Sequence, residues 1–130
     1  MLKIISLSVL LFFFIFPLHA QQAGLGPHGG RLKPAGNYKI ELFGCENYLE
    51  VYVFDRDTEA VNNSNISGSV EFFYKEQAIL SYPLVRYGMD GFTAKIPLTA
   101  FFQCRVSLNI DSEFIVTEIF DNECMNTNRN

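Results

Sequence analysis

At 130 residues and 14.8 kDa, with 48% hydrophobic and 18% charged residues, the chain has the length of one domain and no more. Ten basic residues against 14 acidic give a formal charge of −4, and no Lys/Arg cluster offsets it. A phosphate backbone is repelled by such a surface, which argues against nucleic acid as a partner.

Residues 1–20 differ from everything after them. Lys3 supplies a positive start, the stretch from Ile4 to Phe16 is apolar except for Ser6 and Ser8, and small Ala20 precedes Gln21. An apolar run of about 13 residues is shorter than the roughly 17–25 that span a bilayer, so the stretch reads as a secretory signal peptide. Export to the periplasm or the medium follows, and with it a mature protein that is not an integral membrane protein once the leader is cut. Cleavage takes away Lys3 and His19, leaving nine basic and 14 acidic residues, a balance of −5, and His28 as the only histidine.

Residues 21–36 hold Gly24, Gly26, Pro27, Gly29, Gly30, Pro34 and Gly36, a density that predicts a flexible glycine-rich segment. A domain over 37–122 and a polar tail over 123–130 follow. Tyr38, Ile40 and Leu42 alternate with Lys39 and Glu41, and Leu49, Val51 and Val53 alternate with Glu50, Tyr52 and Phe54, so the two runs predict a hairpin. Polar residues 56–68 predict a loop. Further strands are expected at 69–75, 78–85 (weakened by Pro83, which suits an edge), 92–96, 103–111 and 113–120. Residues 98–102 suit a helical turn or a plain crossing connection. Seven short strands with no helical periodicity predict an all-β fold, an antiparallel immunoglobulin-like β-sandwich, with a small barrel as the alternative.

Few residues carry chemistry. His28 sits between Pro27 and Gly29-Gly30, an exposed imidazole on a pliable backbone, which suits either a bare loop or a ligand contact. Three cysteines in an exported chain predict one disulfide and one leftover thiol. Cys104 shares the parity of Val106 and Leu108 and reads as a buried thiol, which makes Cys45–Cys124 the natural bridge. A soft-metal set of Cys45, Cys124, Met125 and His28 has no CxxC or CxC spacing behind it. Asp55, Asp57 and Glu59 alternate without the glycine and distal glutamate of a calcium loop and read as a solvated turn. Asn62-Asn63-Ser64 and Asn65-Ile66-Ser67 match the glycosylation sequon, relevant only in a eukaryotic secretory pathway. There is no Gly-x-Ser-x-Gly element, and one histidine is the only candidate base, so no enzyme activity is expected. The rings of Phe72-Phe73-Tyr74 and Phe101-Phe102 fall on both strand faces, either as a partner surface or beneath neighbouring loops.

Pro27-His28-Gly29-Gly30, followed by Asn37–Leu42 and Leu49–Asp55, resembles the small exported bacterial "HGG" domains related to those of heavy-metal efflux periplasmic adaptor proteins. The resemblance covers about 30 residues. It implies a β-sandwich of the cell envelope with a link to copper or zinc, in which His28 and Glu41 match the family positions. Members often carry a second histidine just before the Ile/Val-Glu pair; here Lys39 stands there, an ammonium with no lone pair for a cation. His28 is then either a metal ligand or a structural histidine bonded to Glu41 or to a backbone carbonyl. Two functions are expected from this: a non-enzymatic envelope module accessory to metal handling, or a structural or adaptor module that docks on another envelope protein with no metal bound.

Overall fold

The alternation of apolar and polar residues is realised as nine strands in a computed structural model that describes residues 24–112 and 114–121. In chain order they are β1 (Arg31–Ala35), β2 (Tyr38–Gly44), β3 (Tyr48–Phe54), β4 (Ile66–Tyr74), β5 (Gln77–Pro83), β6 (Val85–Tyr87), β7 (Gly91–Lys95), β8 (Gln103–Ile110) and β9 (Phe114–Asp121). They form two antiparallel sheets, β1-β2-β3-β7-β6 and β5-β4-β8-β9, the β-sandwich that the strand rhythm predicts. The leader, residues 1–20, and the tail from 123 onward lie outside the described residues. Among the described residues no helix is long and apolar enough to cross a membrane.

Two strands exceed the predicted seven. β1 lies inside the stretch expected to be a flexible segment, 21–36, and that expectation is corrected here: Arg31–Ala35 pairs with Tyr38–Leu42. Ala35 faces Tyr38 across a two-residue Gly36-Asn37 turn, with Gly36 at φ 60, the glycine-first connection that matches strand twist. Pro34 is tolerated because β1 is an edge. The other addition comes from splitting 78–85: β5 ends at Pro83, Leu84 crosses between sheets with its N–H on the Gly68 carbonyl (2.9 Å), and β6 starts at Val85 in the opposite layer. Residues 98–102 form no helix and serve as the crossing connection.

The core lies between the sheets. Ile40 and Leu42, Leu49, Val51 and Val53, Val70 and Phe72, Phe92, Val106 and Leu108, and Phe120 are all fully buried. Each such side chain contributes about 1.5–3 kcal/mol of transfer free energy, which offsets the ordering of the backbone. Cys104 is buried among them on the inner face of β8, as its parity predicts. Phe72 is enclosed by the edges of Phe101 (4.8 Å between centroids) and Tyr82 (6.1 Å).

The two flanks of the sandwich differ. On the β1/β9 flank Lys33 Nζ donates to the Ile119 carbonyl (2.7 Å), lies 3.9 Å from Glu118 and covers the Phe120 ring. On the β5/β6 flank β6 spans three residues and pairs only with Gly91–Thr93, so the β7 edge beyond Thr93 has no strand beside it among the described residues. All of β5 except Tyr82 is exposed.

Candidate functional site

Glu41 lies on β2 between buried Ile40 and Leu42, so its side chain points out of the five-stranded sheet, yet it is 0% exposed. Residues 24–30 fold over it. The loop is closed by Gly26 N–H to the Gly30 carbonyl (2.8 Å), Gly29 N–H to the Gly26 carbonyl (2.9 Å) and Leu32 N–H to the Gly24 carbonyl (2.8 Å). Its amides converge on the carboxylate: His28 N–H and Gly30 N–H donate to Oε2 at 2.9 and 2.8 Å, and His28 Nδ1 lies 2.7 Å from Oε1. Burying a carboxylate costs several kcal/mol unless donors replace its water, and three do so here. Gly26 has to be glycine, because a Cβ there would lie 2.3 Å from Glu41 Cδ.

A carboxylate only accepts, so the Nδ1 contact calls for a proton on Nδ1, and in the neutral ring the lone pair is then on Nε2. The histidine side chain is 36% exposed. Its ring lies flat on Tyr52, with centroids 3.6 Å apart and planes 9° apart, and it tilts against Phe54 at 6.2 Å. Tyr52 and Phe54 face outward on β3 and are nonetheless buried, with the His28 ring of the loop against both. The Tyr52 hydroxyl donates to Glu50 Oε2 (2.9 Å). Burial first, and that hydrogen bond second, push its phenol well above the ordinary tyrosine value, so it stays protonated and is no general base.

The two residues expected to act together are thus brought together, as donor and acceptor. Both Glu41 oxygens and His28 Nδ1 are already engaged, which leaves one open nitrogen, Nε2. Lys39 donates to Thr58 Oγ1 (2.8 Å). Among the described residues no group of three or more His, Cys, Asp or Glu could hold a metal ion. Asp55 organises its own turn, with Oδ1 accepting from Asp57 N–H and Glu59 N–H at 2.9 Å each. Cys45 carries an unbridged thiol in the β2–β3 turn, raised above its ordinary value by burial against a smaller lowering from a Tyr48 hydrogen bond. No bridge to it is formed among the described residues; its expected partner Cys124, like Met125, lies outside them. The aromatic runs divide: Phe72 and Phe101 join the core, Phe73 lies under Arg105 (5.0 Å), and half-exposed Tyr74 and Phe102 stack on each other (5.0 Å).

Sequence reasoning missed the surface feature of the open flank. A cleft of about 590 Å³ lies between the end of β5 and the uncovered edge of β7, lined by Tyr48, Tyr82, Val85, Tyr87, Ala94 and Lys95. Val85 and Tyr87 are 60% and 56% exposed, large apolar surface beside an unpaired strand edge. The available signal was that β6 is too short to cover β7, and this depends on Leu84 switching sheets. A polar depression of about 430 Å³ near Asn65, Asn109 and Asp111 holds Arg86, whose guanidinium is spent on the carbonyls of Asn63, Ser64 and Ile66.

The fold and the site define a two-sheet antiparallel β-sandwich with a glycine-rich loop latched to a buried carboxylate. Comparison with known protein families, curated proteins and solved structures finds no match to this chain.

Proposed function

We propose that the protein is an exported, non-enzymatic binding module of the bacterial envelope that docks an extended segment of a partner protein along β5 and the adjoining cleft. The observation that carries this reading is β5 itself: seven residues, Gln-Ala-Ile-Leu-Ser-Tyr-Pro, at a sheet edge, without one charged side chain and almost wholly exposed. Edges left in that state are templates for strand addition, and pockets beside them select alternate side chains. The leader-like residues 1–20 support export. A photo-crosslinking side chain at Tyr87 in producing cells tests the reading, with Asp57 at the far end of β3 as control. A discrete crosslinked species at Tyr87 alone is the expected result; the uncrosslinked chain at both positions refutes it.

A second reading is favoured by one observation. The 2.7 Å contact from Nδ1 to Glu41 holds the imidazole as outer carboxylates hold metal-ligating histidines, with Nε2 free for a copper or zinc ion. The resemblance of Pro27–Gly30 to the metal-efflux-linked "HGG" domains supports it. The remaining ligands then come from outside the described residues. Unfolding midpoints with EDTA, Zn(II), Cu(II) and reductant-held Cu(I) test it: a metal-specific rise that His28→Ala abolishes is expected, and no rise with any metal refutes it.

A further inference from the structure

We draw no further inference here: the strongest candidate, the apolar cleft of about 590 Å³ between the end of β5 and the uncovered edge of β7, belongs to the docking site already described, and nothing in the structure shows what covers it.

Discussion

Replacing Glu41 probes the latch between the glycine-rich loop and the sheet. In the parent, Oε2 accepts two backbone amides and Oε1 accepts the imidazole proton, all within a fully buried carboxylate. Glu41→Gln keeps shape and volume. If the amide oxygen takes the Oε2 position, both backbone bonds persist and the new NH₂ faces Nδ1, donor against donor. The imidazole resolves this by moving its proton to Nε2, so that Nδ1 accepts. What is lost is the charge assistance of three hydrogen bonds, about 1 kcal/mol each, partly offset because no charge is now buried. The expected net destabilisation is about 2 kcal/mol, or roughly 8–16 °C in midpoint for a domain of this size. Glu41→Ala leaves three donors unsatisfied, at about 1–3 kcal/mol apiece, and is expected to cost about 4 kcal/mol or more. Urea unfolding gives the free energies, and nitrogen-15 chemical shifts of the imidazole report the tautomer. A Glu41→Ala protein within about 1 kcal/mol of the parent refutes the latch. An unchanged tautomer in Glu41→Gln refutes the proton assignment.

Gly26→Ala is expected to lift residues 24–30 off the sheet, because its Cβ would sit 2.3 Å from Glu41 Cδ; faster amide hydrogen exchange at His28 and Gly30 checks it. Tyr52 gives an alkaline signature. Burial raises its folded value, so above the ordinary tyrosine value of about 10 the unfolded chain loses a proton that the folded chain keeps, and stability falls as pH rises. In Tyr52→Phe that component of the fall is expected to vanish from denaturation curves between pH 9 and about 11. Asn63→Ala removes a buried amide that donates to the carbonyls of Gly88 (3.1 Å) and Gly91 (2.8 Å); a loss of about 1–3 kcal/mol is expected in urea unfolding.

Much of the β layout was legible because period-2 alternation reports directly which residues share a face. Tyr38–Leu42, Leu49–Phe54 and Cys104–Ile110 fold as their parity predicts, and Pro83 falls on an edge strand. β1 was hidden because its punctuation reads as loop, although Gly36-Asn37 between alternating residues is itself a hairpin signal. The split at Leu84 was hidden because a strand that changes sheets looks like one interrupted strand. For the site, the pairing of His28 with Glu41 was within reach as one alternative. The covering of Tyr52 and Phe54, and with it the ring stack, was not.

The all-β class, the strands at 38–42, 49–54 and 103–110 and the inward row of the core were determined by the sequence alone, since they follow from local alternation and turn chemistry. Only the tertiary structure decided that Glu41, of the same outward parity as exposed-type Lys39, is the most enclosed charged residue described. It also decided that β5 and β7 stand open while β1 and β9 are closed. The physical reason is that parity says which way a side chain points and nothing about what lies over it. Solvation, hydrogen-bond supply and the free edge of a sheet depend on contacts between residues distant in the chain.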